Sequence, residues 1–225
     1  MGSGVGRRLG ALLIAVALGS APALAQPSDS SVASRDPRWG VALGGGYFVP
    51  AVDGFSDQYG SRGGWIPVLA LSYALVPSVW LQGDVGYWTA KGFARGALTG
   101  RVSTDQQRLL LIPVTVGAEY QVRFSRDQFV VPFVAAGYRR VAYRLAVDGD
   151  EEIRGGANGW VARSGIDFSL NPLDPSSASS LYADYAIART SLRVEAQWAK
   201  VNAPGTAGDI DLGGTTVLAG LRFEF

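Results

Sequence analysis

The sequence predicts an all-β fold: an eight-stranded antiparallel up-and-down transmembrane β-barrel with a short helix between strands 6 and 7. Three observations predict it. Eight segments alternate apolar and polar residues with a period of two, as strands do when each face meets a different environment. Aromatic residues recur near both ends of the apolar faces. No stretch beyond residue 25 is apolar for the ~20 residues a membrane helix needs, so any insertion must use strands.

Residues 1–25 read as a signal peptide. Arg7 and Arg8 precede an apolar run from Leu9 to Leu18, and the small residues of Ala23-Leu24-Ala25 form the cleavage site. The run is too short to span a bilayer, and it is broken by Gly10 and followed by Gly19 and Pro22. The mature chain is expected to start at Gln26, outside the cytoplasm. Residues 26–38, rich in Ser, Asp and Pro, read as a flexible periplasmic lead-in, and 39–225 as the barrel. The chain has 30 Gly and 24 aromatic residues (6 Trp, 9 Tyr, 9 Phe), which suits many short strands with turns. It has no Cys and no His, which removes disulfides, thiol chemistry, a histidine base and the commonest metal ligand. A net charge of +1 supplies no basic field for nucleic acid.

The first strand places Trp39, Val41, Leu43, Gly45 and Tyr47 on one face; the second repeats this with Trp65, Pro67, Leu69, Leu71 and Tyr73. The third sets Val79, Leu81, Val85 and Tyr87 against Trp80, Gln82 and Asp84, and the fourth sets Leu110, Ile112, Val114, Val116 and Tyr120 against Thr115 and Glu119. The fifth, 129–144, has two candidate outer faces; the one with Phe129, Val131 and Phe133 is preferred over Val130, Val134 and Tyr138. The sixth opposes Trp160, Ala162, Ile166 and Phe168 to Arg163 and Asp167, and the seventh opposes Leu192, Val194, Ala196 and Trp198 to Arg193 and Glu195. The eighth opposes Val217, Ala219, Leu221, Phe223 and Phe225 to Arg222 and Glu224. Eight is an even number, as closure of an up-and-down barrel requires.

A soluble β-sandwich would show the same period, but not the same aromatic spacing. Trp39 and Tyr47, Trp65 and Tyr73, and Trp160 and Phe168 stand eight positions apart. At ~3.3 Å per residue and a tilt near 40° that spacing covers roughly 20 Å, close to the apolar band between aromatic girdles. The girdle residues expected are Trp39, Tyr47, Trp65, Tyr73, Tyr87, Tyr120, Trp160, Phe168, Trp198 and Phe223. With both termini in the periplasm, the external connections 48–64, 89–108, 145–157 and 200–214 are all long, whereas the periplasmic ones around Pro77 and Ser125 are short. The third, 170–188, is longer. Asp174-Pro175 matches an N-cap followed by proline at the first helical position, and Leu181 with Tyr185 makes one apolar stripe, so a short periplasmic helix is expected there to cover the barrel rim.

The C-terminal run Val217-Leu218-Ala219-Gly220-Leu221-Arg222-Phe223-Glu224-Phe225 resembles the signal read by the barrel assembly machinery, with Leu221, Phe223 and Phe225 as its apolar positions. Ile112-Pro113-Val114-Thr115-Val116-Gly117-Ala118-Glu119-Tyr120, followed by Val131-Pro132-Phe133-Val134-Ala135-Ala136-Gly137, resembles the central hairpin of the small OmpA/OmpW-like outer-membrane barrels. The resemblance implies residence in the outer membrane of a Gram-negative bacterium; the long third periplasmic connection departs from it.

The inward faces carry Asp84, Glu119, Arg163, Asp167, Arg193, Glu195, Arg222 and Glu224. Side chains just fill an eight-stranded barrel, so these charges predict a packed, salt-bridged polar lumen; the rival is a gated pathway. Glu195 with Asp167 as an acid/base couple is disfavoured, and the lipid-modifying barrel enzymes of this size use His with Ser. Asp148, Asp150, Glu151 and Glu152 lack the order of a calcium loop and read as a solvated acidic loop. Lys91, Arg95, Arg101 and Arg108 are candidates for contact with lipopolysaccharide phosphates. The chain is thus expected to be a monomeric, non-enzymatic surface scaffold without metal or cofactor, with outer-membrane lipid and lipopolysaccharide as surroundings. The alternatives are a narrow channel or OmpW-like transporter and, behind it, a lipid-modifying enzyme.

Overall fold

The computed structural model describes residues 37–52, 54–95, 102–125, 128–147, 152–203 and 210–225. Within them, the alternating segments pair with their sequence neighbours and the last returns to the first. The strands are β1 (Trp39–Pro50), β2 (Gly64–Val76), β3 (Val79–Gly86), β4 (Trp88–Arg95), β5 (Val102–Gln121), β6 (Val130–Val147), β7 (Ile153–Ser169), β8 (Arg189–Ala203), β9 (Ile210–Asp211) and β10 (Gly214–Glu224). β3 and β4 form one wall strand interrupted at Tyr87, and β9 adds two residues beside β8, so the antiparallel wall has the eight strands expected. β10 pairs with both β8 and β1, which closes the sheet.

Closure carries a stagger. From Phe48 the register partners run through Thr216, Gln197, Arg163, Ala135, Glu119 and Trp80 to Ala74, whose N–H donates to the carbonyl of Arg38, ten residues from the start. Such a shift tilts the strands and sets the bore. The end that holds Arg38 and Phe225 is called lower, and the opposite end upper. Phe225 is tied into the seam: its carbonyl accepts from Arg38 N–H at 2.7 Å and its N–H donates to the carbonyl of Trp39 at 2.8 Å.

The outer faces of seven of the eight wall strands are those read from the sequence. The fifth strand is the exception. On β6, Val130, Pro132, Val134 and Tyr138 face outwards, while Val131 and Phe133 are buried inside; only Phe129, before the strand begins, is exposed. Both faces of this segment are apolar in its lower half, so hydrophobicity alone does not set its phase. The connections differ too. The strands continue past the expected boundaries, β4 to Arg95, β5 from Val102, β6 to Val147 and β7 from Ile153, so much of what read as long loop is two-stranded wall. A short helix, α1 (Phe55–Tyr59), lies in the first upper connection between Gly54 and Gly60, both at positive φ, the conformation glycine adopts without penalty.

α2 (Pro175–Tyr185) occupies the connection between β7 and β8, as expected. Asp174 caps it, accepting from Ser177 N–H at 3.1 Å, and the chain leaves it at Ala186 with φ 57°. None of its residues is buried, so it does not form the rim cover anticipated. Hydrogen bonds from Ser177 and Ser176 hold the Asp174 carboxyl down to about 2.

Two outcomes follow. The folded protein should migrate differently on a gel when boiled and unboiled; identical migration of refolded protein would contradict closure. A depressed carboxylate stabilises above its unfolded value and ceases to do so as pH falls through the folded one. The amide shift of Ser177 should therefore titrate with a midpoint near 2, and Asp174→Ala should abolish that titration and lower helix protection against hydrogen exchange.

Candidate functional site

Alternation sends every second residue of the lower wall inwards, and on β3, β5, β7, β8 and β10 these include buried charged side chains that need partners. Arg193 on β8 resolves the largest part of this. Its Nε and Nη2 each donate at 2.7 Å to the two oxygens of Asp167 on β7, and its Nη1 and Nη2 donate at 2.8 and 2.9 Å to Glu119 on β5. Both contacts are bidentate, the geometry a planar guanidinium offers a carboxylate. Below it lies the Phe133 ring, with the guanidinium carbon 4.0 Å from the centroid. Glu119 also accepts from Arg222 Nη1 at 2.7 Å and Gln121 Nε2 at 2.6 Å. The Arg222 guanidinium stands 4.6 Å over the Trp80 ring.

At the lower mouth Glu224 takes two donations from Arg123 Nη2, at 2.7 and 3.0 Å, and one from Arg189 at 3.5 Å. Higher in the lumen Arg163 donates to Asp84 at 2.5 Å and stands 3.9 Å from Glu195. Glu195 accepts from Gln197, which in turn accepts from Arg139 at 2.7 Å; Arg139 also donates to Thr115 at 3.0 Å. The structure thus brings all eight charged residues singled out in the sequence into one connected set. It adds Arg123, Arg139 and Arg189, which the sequence reading missed. Arg139 was hidden because the fifth strand was phased the wrong way. Charge balance could not have revealed it, because the two faces of that strand each carry an arginine, Arg139 on one and Arg140 on the other.

The lumen is polar only over part of its height, which corrects the expectation of a polar interior throughout. Above Arg139, Arg163 and Gln197 the inward residues turn apolar: Phe48, Ile66, Trp88, Leu111, Val141, Val161 and Val201 are all buried. Phe48 meets Trp88 edge to face at 5.3 Å, and Phe55 of α1 covers Trp88 from above at 5.7 Å. The cavities in the middle and upper lumen are small, about 20 Å³ beside Trp88 and Arg139 and about 40 Å³ beside Asp84 and Glu195, room for one or a few waters; a larger one of about 280 Å³, lined by Trp80, Arg123 and Arg189, lies at the lower mouth.

Outside, Tyr47, Trp65, Tyr87, Trp160 and Trp198 lie towards the upper end, with Tyr138 among them, and Trp39, Tyr73, Tyr120, Phe168 and Phe223 lie towards the lower. Trp39 packs on Tyr73 at 4.8 Å and Trp160 on Trp198 at 4.7 Å, both edge to face. Leu221 faces outwards with Phe223. Lys91 and Arg108 are exposed and register-paired on the upper outer wall. The side chain of Arg95, all of Arg101, the acids Asp148, Asp150 and Glu151, residues 1–25 and most of 26–38 lie outside the described residues. Glu152 is described, and it pairs with Arg144 and Arg154.

A wall with aromatic residues near both ends, apolar between them and enclosing paired charges is built for a bilayer. The family described as outer membrane protein beta-barrel domain matches residues 11–225. The chain belongs to that family. By superposition the barrel is similar to Neisserial surface protein A, at 15% identity and TM-score 0.53, covering 83% of this chain and 97% of that one. It is similar also to Ail, the attachment invasion locus protein of Yersinia pestis, at 10% identity and TM-score 0.50, covering 84% and 99%. No curated protein matches its sequence significantly.

As an outer-membrane barrel the molecule exchanges its inside for its outside at the upper aromatic belt. Below the belt apolar residues face out and charges face in. Above it the outer face carries Lys91, Arg108, Arg140, Arg144, Arg154 and Lys200, while the interior is apolar, the arrangement of a soluble barrel. Arg193 anchors the lower layer. Arg193→Met should leave Asp167 and Glu119 partly bare and cost about 3–5 kcal/mol in urea unfolding from micelles. Adding Asp167→Asn and Glu119→Gln should return much of it; no loss in the single variant would show the network to be idle.

Proposed function

We propose that this outer-membrane barrel is a non-enzymatic scaffold with a closed lumen, presenting its upper hairpins at the cell surface. The observation that carries the reading is the salt-bridge layer centred on Arg193, which crosses the bore between Glu119 and Asp84 and leaves cavities of only about 20 and 40 Å³ beside its upper part and above it, the larger cavity of about 280 Å³ lying below it at the lower mouth. Buried charges held by several partners each are costly to separate, because opening one pair strands the other charge. The chain's lack of His and Cys favours no hydrolytic machinery.

In this reading residues 1–25 are the removed signal peptide, both termini sit in the periplasm, and Leu221, Phe223 and Phe225 are read by the assembly machinery before they become wall. Pairing of β10 with β1 leaves no free edge at the seam, which suits a monomer. Outer-membrane lipid and lipopolysaccharide surround it, with Lys91 and Arg108 placed to meet anionic headgroups.

A second reading, passage of small apolar molecules, is favoured by one observation. The upper chamber of Phe48, Ile66, Trp88 and Leu111 is apolar, and beside it β2 and β4 form no ladder: β2 pairs with β1 and β3, and β4 with β5. Such a molecule would leave sideways, since the charged layer floors the chamber. Planar-bilayer recording separates a closed scaffold from a channel: the scaffold should give no persistent conductance steps, and stable steps from the wild-type protein would sink it.

A further inference from the structure

We propose that the outer face of β6, β7 and β8, just above the upper aromatic belt, is a binding site for the phosphate groups and sugar of an outer-leaflet glycolipid. The inference rests on residence in the outer membrane with the upper end outermost, and not on whether the lumen is closed.

Alternation places the site. On β6 the next outward residue above Tyr138 is Arg140, and on β8 the next above Trp198 is Lys200. Between them on β7, Asn158 is the next above Trp160; it pairs in register with Arg140 on one side and Asn202 on the other, while Lys200 pairs with Trp160. All four polar residues are exposed. Two residues along a tilted strand rise by roughly 5 Å along the membrane normal, which sets Arg140 and Lys200 at headgroup height over a belt of aromatic rings.

The two cations are uncommitted. Among the described residues neither makes an ion pair or a side-chain hydrogen bond, whereas Arg144 and Arg154 higher on the same face are both taken by Glu152. β6 and β8 are two strand spacings apart, about 10 Å, a gap that a long arginine and a long lysine span from either side. The guanidinium of Arg140 lies along the wall over Gly156, whose position for a β-carbon is 3.4 Å from its Nη2, an ordinary contact distance. The amides of Asn158 and Asn202 complete the row with neutral donors and acceptors suited to sugar hydroxyls. The row ends beyond β8, since the outward residues at that height on the next two strands are Thr215 on β10 and Val49 on β1. Cations paired with amides on one side fit a phosphorylated sugar headgroup better than a glycerophospholipid.

The full chain folded in zwitterionic micelles is titrated with diphosphorylated lipid A, its dephosphorylated form and phosphatidylglycerol, with complexes counted by native mass spectrometry. Arg140→Gln with Lys200→Gln should weaken diphosphorylated lipid A by about tenfold or more and leave the dephosphorylated form unaffected. Arg140→Lys with Lys200→Arg should retain binding, and heat-modifiable migration reports that each variant is folded. Equal binding of diphosphorylated lipid A by wild type and the glutamine variant overturns the proposal. So does wild-type binding of phosphatidylglycerol as tight as that of lipid A. Either result leaves the closed lumen standing, because conductance reads that separately.

Discussion

In hydrocarbon every backbone N–H and C=O of the wall must find its partner in a neighbouring strand, because lipid supplies none. This chain meets that demand by returning β10 to β1 with a stagger of ten residues. The rest of the structure depends on that closure. Strand number and stagger together fix the bore, and at eight strands the bore takes side chains and little else. The interior is therefore a packing problem solved by whichever residues alternation sends inwards.

Below the upper belt those residues cannot be apolar on both faces without erasing the pattern that sets register, since a slip by one would then go unpunished. Polar inward residues make the register unambiguous, but they must be satisfied. Arg193 shows how. One guanidinium uses its fork on Asp167 and on Glu119 and its flat face on Phe133, so three wall strands and a lumen aromatic are tied through one side chain. The value of such a layer lies in specifying which strand sits where; its net contribution to stability is a separate matter, because desolvation offsets much of the Coulomb gain.

Much of this was legible in the sequence. A period of two, read strand by strand, assigns the outer faces of β1, β2, β3, β5, β7, β8 and β10, and Asp174-Pro175 marks the start of α2. β6 was not legible from hydrophobicity, because Val130, Val131, Phe133 and Val134 leave both of its faces apolar. The phase it adopts puts Arg139 within reach of Gln197 on β8, a contact between strands that are not sequence neighbours, and no local window contains that. The upper apolar layer escaped for a related reason. Phe48, Ile66, Leu111, Val141 and Val201 are inward residues in strands already labelled by their outward apolar face lower down, and the change of face is visible only once the height of each residue is known.

That change of face explains the architecture of the upper end. Where the wall leaves the lipid, water lies outside it, and a polar interior would gain nothing while an apolar one adds burial. Arginine and lysine on the outside and Trp88, Phe48 and Ile66 on the inside are what a wall in water requires. The same logic accounts for α1: an apolar upper chamber would be open to solvent at its mouth, and Phe55 resting on Trp88 covers it. The long β5–β6 and β6–β7 hairpins are then extramembrane structure in their own right, held up by their own core. Leu111, Val141 and Ala157 carry that core into the base of the hairpins, so the inner face stays apolar where the wall leaves the membrane.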